Sequence, residues 1–188
     1  MASSTSEPVQ VAFENEYVRI VHVNLATGQT PPKYKLAATP IVAIDLNSGS
    51  ARYSDSVSPD DSQRPGNAAV REIRVELKSA PETTPLALDA VRIEPTRFKV
   101  VFENDRVRVV RLRFGPRERG VMVSHPPRVL VTLTDVSVKL LFADGRTDER
   151  GAPAGVAAWL DSETLQTENA RAEALEVVLV EPKSAHGF

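Results

Sequence analysis

The chain contains no cysteine. This excludes a disulfide framework and thiol chemistry and suits a reducing compartment. Aromatic residues make up only 5%, with one tryptophan, and there are two methionines. Glycine is scarce, 9 residues against 14 prolines, and that much proline argues against long uninterrupted helices. No apolar run approaches the roughly 20 residues needed to span a bilayer. Met1 to Pro8 is small and polar, without a basic start followed by an apolar run, so it reads as a disordered tail and not as a signal peptide. Neither sign of charge dominates: a net charge of -2 removes the electrostatic case for nucleic acid or an anionic membrane as a partner. Also missing are a Gly-rich phosphate loop, a nucleophile elbow, a Cys/His cluster and the paired histidines of a metalloprotease. The expectation is a soluble, cytoplasmic protein.

What is present is valine, leucine and alternation. Apolar residues make up 41% of the chain, enough for a packed core. They recur with period two, which places successive side chains on opposite faces of a sheet. Arg108, Val110, Leu112 and Phe114 share one face of a strand, and Val107, Val109, Arg111 and Arg113 share the other. Short strands of this kind separated by polar corners predict an all-β barrel or sandwich.

The alternation occurs twice. Set over Val100 to Phe114, the stretch Val11 to Leu25 matches at seven of fifteen positions without a gap, 89 residues apart, where chance gives about one. The same register carries Ile41 to Ile44 over Leu130 to Leu133. A second match, Val75 to Ala80 with Val180 to Ala185, lies 105 residues apart, so the first copy is 16 residues (105 less 89) shorter in its middle. In the second copy, strands are predicted over Val138 to Phe142, Val156 to Leu160, Thr164 to Thr167 and Leu175 to Val180, with a tight turn at Asp144-Gly145. Asn47 to Ala69 reads as a loop or poorly ordered excursion. Pro81 to Pro85 reads as a linker, and Leu86 to Ile93 as a short helix or turn before Pro95. The predicted organisation is a tail over 1–8, a truncated repeat over 9–80, a linker over 81–99 and a fuller repeat over 100–185.

The stretch Pro95 to Val109, the Gly-Pro corner after it, Ser124-His125-Pro126, the Asp-Gly turn, and Ala154-Gly155 leading to Trp159 and Glu168-Asn169 together resemble the cupin superfamily. The resemblance implies a double-stranded β-helix, or jelly-roll, barrel. In tandem it implies a bicupin whose N-terminal barrel is truncated. Metal-binding cupins usually carry His-x-His, then Glu three or four residues later, then a Pro-x-Gly-x-x-His corner. Here Val123 and His125 fill the histidine positions, and Val129 or Leu130 the Glu position. Asp161, Glu163 and Leu165 replace Pro, Gly and His in the second motif, and Tyr34 and Leu36 stand at the histidine positions of the first copy. One imidazole alone cannot hold a divalent ion against water, so the expectation is no metal and no cofactor. The resemblance also implies a homodimer.

Of the candidate residues, His125 is read as an acid, base or hydrogen-bond anchor on a barrel wall, or as a structural histidine bonded near the barrel mouth. Tyr34 is a weaker catalytic candidate, with Asp135 and Asp161 as helpers. A ligand chamber is placed among Val121, Val123, His125, Val129, Val131, Trp159, Leu165 and Thr167. Trp159 equally reads as core. Seven arginines lie between Arg106 and Arg128; Arg111 and Arg113, on one face, could grip an anion, or could lie along an exterior strand with their heads in water. Arg19 and Arg108 recur at one repeat position and predict a salt bridge to a Glu14 or Glu103 type residue. His22 and His186 are assigned no role. The leading function is metal-independent binding of a small organic molecule. The alternatives are a metal-free isomerase, lyase or cyclase, and a structural or interaction module with filled barrels.

Overall fold

The computed structural model describes residues 7–29, 39–55, 69–82 and 85–184. The chain divides into two compact units, Met1–Ser79 and Ala80–Phe188.

The first unit is one antiparallel sheet of β1 (Val9–Glu14), β2 (Val18–Leu25), β3 (Ile41–Asp45), β4 (Ala51–Ser54) and β5 (Val70–Leu77), in the order β1-β2-β5-β3-β4. β1 turns into β2 through Asn15, whose side-chain oxygen accepts from the backbone N–H groups of Tyr17 (2.9 Å) and Val18 (2.8 Å). Asn favours this local bond to the backbone two and three residues on. β4 lies inside the stretch expected as a loop, and this corrects that expectation: Ala51 to Ser54 pair with β3. The intervening turn is fixed by Asp45, whose carboxylate accepts from the N–H groups of Asn47 and Ser48. On one face Val21, Val23 and Leu25 cluster with Val9 and Val70.

The second unit opens with α1 (Ala90–Ile93), capped by Asp89, whose side chain accepts from Arg92 N. Nine strands follow: β6 (Phe98–Glu103), β7 (Val107–Phe114), β8 (Val123–His125), β9 (Arg128–Thr132), β10 (Val136–Phe142), β11 (Thr147–Ala152), β12 (Ala157–Leu160), β13 (Glu163–Asn169) and β14 (Leu175–Pro182). They form two antiparallel sheets, β12-β9-β14-β7-β6 and β11-β10-β13-β8. Both sheets send side chains into one core: Phe98, Val110, Leu112, Phe114, Leu175, Val177 and Leu179 from the first, and Val123, Val138, Leu140, Phe142 and Leu165 from the second, joined by Ala90 of α1. Each buried Val, Leu or Phe side chain among them contributes about 1.5–3 kcal/mol.

The all-β class expected from the sequence holds, and among the described residues no sheet closes into a barrel. The Asp144-Gly145 turn joins β10 to β11, with Gly145 at φ +84°. β11 itself, Thr-Asp-Glu-Arg-Gly-Ala, carries no alternation and was not expected.

The two five-stranded sheets have the same order, and their pairings match. In the hairpin β6–β7, Asn104 repeats the bonds of Asn15, accepting from Arg106 N and Val107 N. The bulge in β1 falls between Val11 and Phe13, and that in β6 between Val100 and Phe102, the same place in the repeat. Arg19 lies opposite Glu76, as Arg108 lies opposite Glu181. One register differs from the sequence expectation. Val42 faces Val75 and Val129 faces Val180, so Val42 corresponds to Val129 and not to Val131. A two-residue slip keeps every side chain on its face, which is why apolar-on-apolar matching could not detect it.

Candidate functional site

β8 is only three residues long, yet it carries the one histidine of the sandwich interior. Val123 enters the core, while Ser124 N donates to Leu88 O (2.8 Å) and Ser124 Oγ lies 2.8 Å from Thr164 Oγ1. His125 follows on the same face as Val123, 4% exposed, with its ring centroid 5.5 Å from that of Phe98. Its Nδ1 is buried without a hydrogen-bond partner. Burial, and then the positive charges of Arg128 and Arg108, push its pKa well below the usual histidine value. The imidazole is therefore neutral at pH 7 and can accept or donate a hydrogen bond.

The charges around it are paired. Arg108, 7% exposed, donates from Nε to Glu181 Oε2 (2.6 Å) and from Nη2 to Asp89 Oδ2 (2.7 Å). Arg128, 4% exposed, donates to Glu163 Oε2 (3.0 Å) and to the carbonyls of Pro126 and Asp161 (3.2 Å each). Arg150 holds the other Glu163 oxygen at 2.8 Å. Burial works to raise the Glu163 pKa, but Arg150 and Arg128 outweigh it and hold the carboxyl below its ordinary value. At Glu181 burial prevails over Arg108 and the pKa rises. Beside this cluster is a cavity of about 280 Å³ lined by Ser124, His125, Pro126, Pro127, Ser162, Glu163 and Thr164, with Glu82 and Leu86 across from them. A larger open groove of about 600 Å³ runs over β10, β11 and β13; its charged residues are paired as Arg119–Glu168 and Lys139–Glu149, with Asp148 held by Arg150.

A divalent cation of the kind many cupins hold does not fit these residues. Among the described residues no three His, Cys, Asp or Glu side chains converge as a ligand set. Two permanent guanidinium charges act on His125, and Val123 and Leu165, at two of the usual ligand positions, are core residues.

The sequence-predicted residues separate into groups. Val123, His125, Leu165 and Thr167 share the inner face of the four-stranded sheet, Leu165 pairing with Val123 and Thr167 with Leu140. Val129, Val131 and Trp159 do not join them: they pair with one another or with Val178 and Val180, on the face of the five-stranded sheet opposite the core. Leu130 and Arg128 supply the inner face of that strand, so assigning both hairpin strands one parity placed three residues on the wrong side. Val121 precedes β8 and is 48% exposed. Trp159 Nε1 donates to Asp161 Oδ1 (3.1 Å). Asp135 accepts from Ala154 N. Arg111 is bonded to Glu176 (2.6 Å) and Arg113 is exposed. His22 is half-buried on β2, its pKa lowered by burial. Tyr34, Leu36 and His186 lie outside the described residues. Arg19 meets Glu14 at 3.8 Å and Glu76 at 3.5 Å, whereas Arg108 selects Glu181 and Asp89 and leaves Glu103 to Lys183. Sequence reasoning missed Arg128, whose charge acts on His125, and Glu181 and Asp89, which hold the Arg108 guanidinium. The available signal was Glu181, a carboxylate ending the apolar run Leu175 to Val180 and repeating Glu76.

No protein-family model matches the chain, and no curated protein matches it. Solved structures do. AerE from Microcystis aeruginosa superimposes with a TM-score of 0.59 at 8% identity, over 97% of this chain and 96% of that one. A cupin 2 conserved barrel domain protein from Leptotrichia buccalis gives 0.50 at 11% identity, over 97% and 92%. A cupin domain from Bordetella pertussis gives 0.43 at 22% identity, over 46% and 92%. The chain has a cupin-like all-β fold. No described helix is long and apolar enough to cross a membrane.

Proposed function

We propose that this chain is a metal-independent bicupin with a truncated N-terminal copy, one sheet among the described residues, that binds a small organic molecule at the His125 end of the second unit. The observation that carries the reading is a cavity of about 280 Å³ with His125 among its lining residues, a buried, neutral imidazole whose Nδ1 is unbonded. A polar group left unpaired inside a protein is unfavourable by about 1–3 kcal/mol, and a ligand that bonds it recovers that loss. The volume is at the low end for small-molecule sites, so the ligand is small. Because the imidazole is neutral, an enzymatic version of the site would use it as a base and not as an acid. A second reading, a structural or interaction module with a filled interior, is favoured by the contact of both sheets in one continuous core.

Ligand-observed NMR with a library of small hydroxyl-, amide- and acid-bearing fragments tests the choice. Binding by some fragments that disappears in a folded His125→Ala variant is expected. Absence of any hit lost in that variant would leave the filled module.

A further inference from the structure

We infer that residues 86–93, the segment that carries α1, form a hinged strap over the His125 end of the sandwich, pivoting at Glu94 and latched by Asp89. The inference concerns a motion of the chain and goes beyond the ligand-binding reading, since no ligand enters it. The segment is braced within itself. The Asp89 side chain accepts from Arg92 N at 3.1 Å, and Ile93 N donates to Asp89 O at 2.9 Å. Arg92 Nη2 reaches back to the carbonyls of Ala87 (2.8 Å) and Leu86 (3.3 Å). Both ends of the segment are thus tied to each other, and it moves as one body.

Its hold on the sandwich is slight. Among the described residues it consists of the isolated bridge from Asp89 to Ser124, where Ser124 N donates to Leu88 O at 2.8 Å, and the ion pair of Asp89 Oδ2 with Arg108 Nη2 at 2.7 Å. Of its side chains only Ala90 is buried in the core, with Val91 packed partly against it, while Leu88 and Ile93 are 36% and 40% exposed. Segments with so few buried apolar contacts open at a lower free energy than the whole fold. Asp89 joins brace and latch, since one of its oxygens caps the helix and the other grips Arg108.

Glu94, by contrast, is fixed. Its carbonyl accepts from Arg97 N and Phe98 N at 3.0 Å each, and its carboxylate is bonded to Arg97. Its Oε2 lies 2.9 Å from where a Cβ on Gly120 would stand, so glycine is required there. What the strap covers follows from its contacts. α1 touches both β6 and β8, and Ala90 shares the core with Phe98 and Val123. It therefore closes the flank between the two sheets, beside the contact of Phe98 with His125, and Leu86 forms part of the cavity wall. A swing about Glu94 that breaks the Asp89 latch uncovers the imidazole and removes that wall.

Native-state hydrogen exchange on the full chain across low urea concentrations tests the strap, with Asp89→Asn as the variant. Asparagine keeps the helix cap and removes the charge that holds Arg108. In the native chain the Ser124 amide is expected to exchange through an opening with little urea dependence, while amides of the β7–β14 ladder show the steep dependence of global unfolding. In Asp89→Asn the Ser124 amide is expected to accelerate about tenfold more than the ladder amides. Deuterium exchange at the His125 ring C–H, read by mass spectrometry of the His125 peptide, is expected to rise by a similar factor. A steep urea dependence at Ser124 in the native chain would make the segment part of the global unit and overturn the inference, even where the variant does not fold. So would equal acceleration of Ser124 and the ladder. A faster Ser124 with no change at His125 would show a segment that moves without uncovering the ring, and the strap would be refuted as its cover.

Discussion

In the first unit, the sheet face bearing Arg19, Val21 and Val23 also bears Glu72, Arg74 and Glu76. In the second unit, the corresponding face bears Arg108, Val110 and Leu112 with Val177, Leu179 and Glu181. The strand order and pairings are the same, so the difference isolates one variable. Where a second sheet supplies a hydrocarbon partner, the centre of the face is Val177 and Leu179, both within the core. Among the described residues the first unit has no second sheet, and the same two positions are Glu72 and Arg74, bonded to each other at 2.6 Å, with Arg52 bonded to Glu72 at 2.7 Å. Only the terminal Arg–Glu pair is common to both. A strand framework therefore fixes register and bulges, while the layer laid against it decides whether a position carries a methyl group or a charge.

Exchanging these positions should produce the largest effects. Leu179→Arg places a cation where Arg74 stands but beside Val177 in place of Glu72. It is expected to destabilise by more than about 4 kcal/mol or to prevent folding. Arg74→Leu, which leaves Glu72 with Arg52, should lose only about 1 kcal/mol. Denaturation midpoints of the two variants compare them directly, and equal tolerance would erase the distinction between the faces.

The shared Arg–Glu pair allows a finer comparison. Arg108→Ala leaves Glu181, 1% exposed, without its bonded cation, and should lose about 3 kcal/mol. The Arg19 side chain is 22% exposed and lies 3.5 Å from Glu76 and 3.8 Å from Glu14, but Glu76 is 0% exposed, so Arg19→Ala should lose about 2 kcal/mol. Urea unfolding of both variants checks the ratio.

His125 has no described counterpart in the first unit, and it gives the second unit a pH signature. Its folded pKa is depressed, so the unfolded chain takes up the proton first. The stability due to the neutral ring is fully present above the unfolded value of about 6.5 and is lost as pH falls from there towards the folded pKa, by up to about 1.4 kcal/mol per pH unit. The carboxylates held low by arginine also weaken the fold in acid, so the quantity to measure is the difference in stability between the native chain and His125→Gln across pH 7 to 5. That difference should change with pH; a flat difference would contradict the burial of the ring.

The smallest effect concerns a second shared device. Tyr53, opposite Val42, donates its hydroxyl to Asp55, as Trp159, opposite Val129, donates its indole N–H to Asp161. Tyr53→Phe and Trp159→Phe should each shift stability by about 1 kcal/mol or less, and thermal unfolding would show whether the two tethers are equivalent.

The framework was legible in the sequence because alternation and the repeated Phe-Glu-Asn report on faces and on a hairpin turn whose Asn bonds its own backbone. β4 and β11 were not legible, since edge strands with polar or small residues carry no hydrophobic period. His125 was found from its motif position. The charged cluster beside it was not, because Arg128 and Asp89, the latter bonded to Arg108, come from segments whose convergence depends on the stacking of two sheets and on a four-residue helix. Val129, Val131 and Trp159 were misplaced by one step of parity, the minimum error that moves a side chain to the other face.

The bulge in β6 has a consequence for the histidine. Val101 is the surplus residue: Val100 faces Val110 and Phe102 faces Val109, so the strand changes sides there and Phe98 comes to lie opposite Leu112 on the core face. Were Val101 instead taken into regular pairing opposite Val110, Phe98 would fall opposite Arg113 on the reverse surface and His125 would lose the ring beside it. Excising Val101 would keep Phe98 opposite Leu112, so the aromatic cover of the imidazole depends on how the surplus residue is absorbed and not on the number of residues in the strand.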